Sequence, residues 1–161
     1  MTTSYVNWGK GRVKLTWKQS DQLPVHDFIT SVHGFCFYEN KLLLVDLNHR
    51  GWDIPGGHLE SQETAEQCFK REVMEEGYVS GESQLLGYII VDHSENLTWD
   101  EKSPYPKVGY QVFYRMEIDE IFSFDANYES ARRIFIKAEE VSNYYHDWNE
   151  IYQEILNCAL N

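Results

Sequence analysis

The stretch Gly57-His58-Leu59-Glu60-Ser61-Gln62-Glu63, with Arg71-Glu72-Val73-Met74-Glu75-Glu76-Gly77-Tyr78-Val79 shortly after it, decides how this chain reads. Residues 63–76 are predicted as a helix, because Ala65, Cys68, Phe69 and Val73 recur at the spacing of one helical face. At roughly 100° per residue, Glu72 and Glu76 continue that apolar stripe instead of opposing it. Glu72, Glu75 and Glu76 are neighbours on the helix surface, and like charges at that spacing repel. They also sit at the end of the helix that carries partial negative charge. Gly77 is expected to close the helix in the left-handed conformation. Carboxylates so poorly matched to their position point to a bound cation, and an all-oxygen donor set suits Mg2+ or Mn2+. The competing reading, a solvated acidic helix end, would place the glutamates opposite the stripe.

Outward from this helix the chain alternates strand and loop signals. Residues 30–38 and 42–47 are β-rich runs around Glu39-Asn40-Lys41, a predicted hairpin. Residues 52–54 read as a short strand and Pro55-Gly56-Gly57 as a tight loop. Residues 85–91 and 108–118 are predicted strands, separated by a long polar loop, 92–107, of the length that usually carries function. His93, Tyr105 and Tyr110 border that loop and are candidates to shape a substrate pocket. Residues 132–136 form a further predicted strand, and 144–160 a closing amphipathic helix bearing Trp148, Ile151, Tyr152, Ile155 and Leu156. Near the start, Arg-Val-Lys-Leu-Thr-Trp-Lys (12–18) alternates as a half-buried strand does. The order of elements implies an α/β fold, a mixed sheet with helices packed on it.

The chain has 161 residues, about one domain's worth, and no repeat or linker divides it. Residues 1–161 are therefore read as a single domain, with 1–27 as an N-terminal extension or added strand. A net charge of −12 argues against a nucleic acid polymer as partner, since phosphate neutralisation needs clustered Lys and Arg. A single nucleotide remains compatible, because a metal ion can meet its charge. The charge is uneven: Lys10, Arg12, Lys14 and Lys18 precede any acid, as a lysine-protected edge strand or a basic flap over an anionic substrate. Three scattered cysteines, Cys36, Cys68 and Cys158, indicate neither a disulfide framework nor a zinc site. No apolar run approaches membrane-spanning length and no leader sequence opens the chain, so a cytoplasmic location is expected. The sequence leaves the oligomeric state open, a homodimer included.

The pattern Gly57-x5-Glu63-x7-Arg71-Glu72-Val73-x-Glu75-Glu76 resembles the box of the Nudix hydrolases, the family of the MutT-like enzymes, over residues 57–79. The lead-in Arg50-Gly-Trp52-Asp-Ile-Pro55-Gly56-Gly57 is similar as well, and the strand order extends the likeness loosely over 30–160. Two positions depart from the family: Tyr78 stands where it has glycine, with Gly77 one place earlier, and Gln62 stands where many members have glycine. The resemblance implies an α/β/α sandwich with a mixed sheet. It implies that Glu72, Glu75 and Glu76 bind Mg2+ or Mn2+ as cofactor, with the main-chain carbonyl of Gly56 completing the shell. The expected reaction is hydrolysis of the pyrophosphate linkage of a nucleoside diphosphate joined to another group, with a small-molecule nucleotide as substrate. Arg71 is expected to orient a ligand carboxylate or Glu63. Glu129 is a candidate general base, the loop also offering Asp125. Arg50 and His58 are candidate phosphate contacts.

Two other classes stay in view. A non-catalytic nucleotide-sensing module on the same fold would tend to lose box carboxylates, and this chain keeps all of them. A prenyl diphosphate isomerase would need a reactive cysteine, and Cys36 and Cys68 lie in apolar runs.

Overall fold

The computed structural model describes every residue of the chain other than His49 and Glu129. Strands β1 (Thr2–Trp8), β2 (Gly11–Gln19), β3 (Ile29–Tyr38), β4 (Lys41–Leu47), β5 (Gly51–Asp53) and β6 (Gly56–Gly57) precede helix α1 (Ala65–Gly77). Then follow β7 (Val79–Asp92), β8 (Val108–Ile121), β9 (Ser130–Lys137) and helix α2 (Glu150–Leu160). The sheet runs β1-β2-β7-β8-β3-β4-β5, with β6 paired to β3 and β9 to β4. Strands β3 and β8 are parallel, from Ile29 opposite Tyr110 to Phe37 opposite Glu117. The other pairings among the described residues are antiparallel.

The two faces of this mixed sheet carry one helix each. Cys68, Phe69 and Val73 of α1 bury against Val32, Cys36, Leu43, Val45 and Tyr114. Ile151, Ile155, Leu156 and Ala159 of α2 bury against Trp17, Phe35, Leu42, Leu44 and Phe113 on the other face. Alternation along each strand divides its side chains between these two cores, which is why the runs at β3 and β4 read as nearly continuous apolar segments. The α/β class with a mixed, open sheet is thus as the sequence implies.

Several boundaries differ, each for a local reason. The basic N-terminal segment is a paired hairpin: β1 lies on β2, and β2 on β7 from Lys14 opposite Asp92 to Gln19 opposite Gly87. Strand β1 went unread because its polar residues face water on a sheet edge. The β3–β4 turn is tight, with Glu39 and Asn40 both at positive φ (49° and 66°), the geometry that matches the twist of a two-residue hairpin. Helix α1 begins one turn's edge later than read: Thr64 is its N-cap, accepting from the Gln67 N–H while Gln67 accepts from the Thr64 N–H. The closing helix starts at Glu150 and not Tyr144. Asn149 caps it by accepting from the Tyr152 N–H, and the chain before it turns back as Tyr144 and Tyr145 both donate to the Val141 carbonyl.

The end of α1 corrects the sequence reading most. The left-handed residue is Tyr78 (φ 56°, ψ 43°), and Gly77 is still helical. Gly77 is needed for closeness: a Cβ there would stand 2.8 Å from Leu43 Cδ2. Gln62 is left-handed too, at φ 65°. At both places where the family has glycine, this chain carries a side chain on a left-handed backbone. A left-handed non-glycine residue costs on the order of 1 kcal/mol.

All three cysteines are free thiols, Cys36 and Cys68 buried and Cys158 half-buried. Burial pushes the Cys68 thiol up to about 12 and raises that of Cys36 also. No helix among the described residues is long and apolar enough to cross a membrane.

Candidate active site

Strand β6 brings the Gly56-Gly57 backbone beside β3, with Gly56 opposite His33 and Gly57 opposite Val32. Helix α1 crosses above them. A Cβ on Gly57 would lie 2.5 Å from the Glu72 carboxylate, so the loop backbone and the end of that side chain are in close approach. The Gly56 N–H donates to Glu76 Oε1 at 2.8 Å, and Glu76 is buried. The box loop and the end of the helix are therefore one unit.

Arg71 ties that unit together. Its guanidinium grips Glu63 through Nε to Oε2 (2.6 Å) and Nη2 to Oε1 (3.0 Å). It also donates to Glu72 (2.8 Å), to Glu75 (3.4 Å) and to the His58 carbonyl (3.2 Å). The hydrogen bond from Arg71 holds the Glu63 carboxyl down at about 2, well below its ordinary range, and Glu63 in turn raises the arginine. A planar donor fork bridging so many acceptors is a task lysine cannot take over.

Glu72, Glu75 and Glu76 line one cavity of about 220 Å3 with Tyr128. Glu72 also lines a wider cleft of about 670 Å3, together with His33, Arg50, Asp53, Gly56, Gly57, His58 and Arg71. Acidic and basic groups thus flank one opening. Arg50 and His58, read as phosphate contacts, are both exposed on its wall. Glu129, the candidate base, lies outside the described residues. As placed, no three His, Cys, Asp or Glu side chains among the described residues are gathered tightly enough to hold an ion. Glu72 and Glu75 face Arg71, and Glu76 faces the Gly56 amide.

The segment after β8 fastens to the end of α1. The Tyr78 carbonyl accepts from the Phe122 N–H (2.8 Å), and its hydroxyl accepts from the Asn127 N–H (2.9 Å). The Ser130 hydroxyl donates to the Glu76 carbonyl at 2.6 Å, and Arg133 donates to the Gly77 carbonyl at 2.9 Å. The Tyr78 ring meets Phe124 edge-on, 4.8 Å between centroids. Carbonyls that a helix leaves unpaired at its end are answered here by this one segment.

Sequence reading missed other wall residues. His33 is driven down to about 4, by burial first and then by the charges of His58 and Arg50, so it is neutral at pH 7. Its Nε2 lies 2.8 Å from the Ser31 hydroxyl. Asp53 is raised by burial, against a hydrogen bond from Tyr145. Nothing local marks either residue; strand register alone turns them toward the cleft.

A family model described as NUDIX domain matches residues 28–156. The chain belongs to the NUDIX family. Over 56 residues it is 39% identical to the putative 8-oxo-dGTP diphosphatase YtkD of Bacillus subtilis (strain 168), a match spanning 35% of this chain and 35% of that relative's length. Its structure is similar to that of a variant of the Bacillus subtilis pyrophosphohydrolase BsRppH, with TM-score 0.74 and 22% identity over 98% of this chain and 95% of that one. It is similar also to an ADP-ribose pyrophosphatase of Streptococcus suis, with TM-score 0.55 and 20% identity over 81% and 88%. At these identities the structural likeness establishes the fold.

Proposed function

We propose that the protein is a Mg2+- or Mn2+-dependent Nudix hydrolase that cleaves the phosphoanhydride bridge of a nucleoside diphosphate joined to another group. The observation that carries this reading is the opening at Glu72, which lines both the cleft walled by Arg50 and Arg71 and the smaller cavity lined by Glu75 and Glu76. A chain of anionic phosphates and a divalent ion together match both halves of that opening.

The donor set fits such an ion: the three glutamates offer hard oxygen atoms within one turn of α1, and Glu72 and Glu76 sit against the glycines of the box loop. Glu72, Glu75 and Glu76 would hold it, with the Gly56 carbonyl. Bound there, it supplies charge that offsets the phosphoanhydride and polarises the bond to be broken. Release of Glu72 and Glu75 from Arg71 is the change that binding entails. Arg71 would stay anchored by Glu63 and hold the box loop against the helix through the His58 carbonyl. Arg50 and His58 hold phosphate oxygens. Glu129 takes a proton from the water that attacks one phosphorus. The P–O–P bond breaks, giving a nucleoside monophosphate and the phosphorylated remainder, or pyrophosphate from a triphosphate. The names of the relatives make nucleoside triphosphates, their oxidised purine forms and ADP-ribose the first compounds to assay. The absence of a local marker for any one of them leaves the panel broad.

The test is product analysis on that panel with Mg2+ and with Mn2+, for wild type, Glu72→Gln and Glu76→Gln. Wild type should release monophosphate, and each variant should lose on the order of 10²–10³-fold in kcat with its circular dichroism unchanged. Full turnover in both variants would refute the assignment of the glutamates. Tight nucleotide binding by wild type with no product would favour the sensing module.

A further inference from the structure

Beside the carboxylate cleft lies a second cavity of about 210 Å3 with a different character. Its walls include Trp8, His58, His93 and Tyr105, and its floor Thr30, Ser31 and Gln111. Ser31, His58 and Gln111 line the carboxylate cleft as well, so the two spaces are continuous. Trp8 comes from β1, outside the residues 28–156 that the family model matches. The N-terminal hairpin, outside the matched residues, therefore reaches the site.

The wall is built and held. The Trp8 and His93 rings are 5.8 Å apart and tilted, and those of His58 and Tyr105 are 6.5 Å apart. The Trp99 indole N–H donates to the Tyr105 carbonyl at 3.0 Å, and the His93 N–H to the Lys107 carbonyl at 2.8 Å, which fold the 93–107 loop back on itself. That loop presses on the hairpin: a Cβ on Gly11 would fall 2.0 Å from Asn96 Oδ1, and Arg12 pairs with Glu95 at 3.6 Å. His58 Nδ1 lies 2.9 Å from the Thr30 carbonyl, which can only accept, so Nδ1 carries the proton. His93 is buried and lowered by that burial, so its ring is neutral near pH 7 and presents no charge to a ligand. Trp8 and Tyr105 are each close to half exposed, at 45% and 46%, leaving ring surface open.

We infer that this cavity holds the flat heteroaromatic base of the nucleotide, and that Trp8 of the N-terminal hairpin is its stacking residue. This rests on the reading of the neighbouring cleft as a phosphoanhydride site. Aromatic faces gathered with few charges suit a planar ring, and stacking of a base on an aromatic side chain tolerates any base. Selection among bases then falls to the Gln111 amide, half-buried where the two spaces join and able both to donate and to accept. Trp8 sets KM, since it lines neither cavity that the carboxylates line.

The experiment uses the full chain labelled with 5-fluorotryptophan, with the Trp8 resonance assigned by its loss in Trp8→Phe. Titration with AMP, GMP, CMP, UMP and ribose 5-phosphate, without divalent metal, should shift the Trp8 resonance for the nucleotides and leave it unmoved by ribose 5-phosphate. In turnover assays of whichever nucleotide is hydrolysed, Trp8→Ala should raise KM by about 10-fold with kcat within about twofold, and Trp8→Phe should restore most of the loss. A Trp8 resonance that ignores all the nucleotides, or that moves equally with ribose 5-phosphate, overturns the inference. So does an unchanged KM in Trp8→Ala while hydrolysis continues, which leaves the proposed function intact. Lack of hydrolysis by wild type alongside a base-dependent Trp8 shift overturns the proposed function and leaves the base site standing.

Discussion

The two halves of α1 solve different problems. The first, Thr64 to Lys70, obeys every local rule: a reciprocal cap at Thr64 and Gln67, an acid near the N-terminus, and Cys68 and Phe69 buried in the core. The second, Arg71 to Gly77, breaks them with carboxylates at the negative end and no basic residue in the last turn. What it lacks along its own length is supplied from elsewhere, by Glu63, the Gly56 amide, Ser130 and Arg133. A helix end that stands only with outside help is one whose residues are chosen for chemistry.

The largest break in this contrast should come from Arg71. Arg71→Ala removes the group shared by Glu63, Glu72 and Glu75, and turnover should drop by about 10–100-fold, with Arg71→Lys recovering little. Steady-state kinetics beside a far-ultraviolet spectrum would check it, and wild-type kcat in either variant would show that Arg71 is only a surface ion pair. Next come Tyr78 and Gln62, the left-handed residues that flank the helix, expected to answer glycine with opposite signs. Tyr78→Gly relieves the backbone but loses a buried ring and its hydroxyl bond, for a net cost of about 2 kcal/mol, or roughly a 4–8 °C fall in Tm. Gln62 is exposed, so Gln62→Gly should raise stability by up to about 1 kcal/mol. Thermal melts of both decide it, and a Gln62→Gly variant no more stable than wild type would mean that its backbone form carries no strain. The smallest effect belongs to the orthodox half: Thr64→Ala should cost about 1 kcal/mol, about 2–4 °C in Tm, and leave kcat alone.

The same contrast explains what could be read in advance. The second half of α1 announced itself because its residues contradict local physics, and contradiction is visible in a linear sequence. The hairpin around Asn40 was legible for the simpler reason that periodicity and turn chemistry are local, while the helix on each face of the sheet came from the resemblance to the family. Tyr78 was marked as a departure from the family, but its left-handed form comes with partners far along the chain, the Phe122 N–H on its carbonyl and the Asn127 N–H on its hydroxyl. His33 and Asp53 reach the cleft through strand register, and Trp8 through a hairpin that pairs with β7. None of these has a signature shorter than the fold itself. The start of α2 differs because Tyr144, Tyr145 and Trp148 look helical by spacing, while the Tyr144 and Tyr145 N–H groups turn back on the Val141 carbonyl and the Trp148 N–H on that of Tyr145.

The parallel seam between β3 and β8 has a consequence for how the molecule is made. Residues 29–37 find their neighbour in residues 110–117, so the strand under the helix is half bare until late in synthesis. A ribosome delivers the box helix well before the partner that completes its platform. Until residue 133 has emerged, the acidic turn lacks the full set of Phe122, Ser130 and Arg133 that quiets its carbonyls. Nascent chains arrested short of that point should be the form of this protein most open to chaperones and proteases.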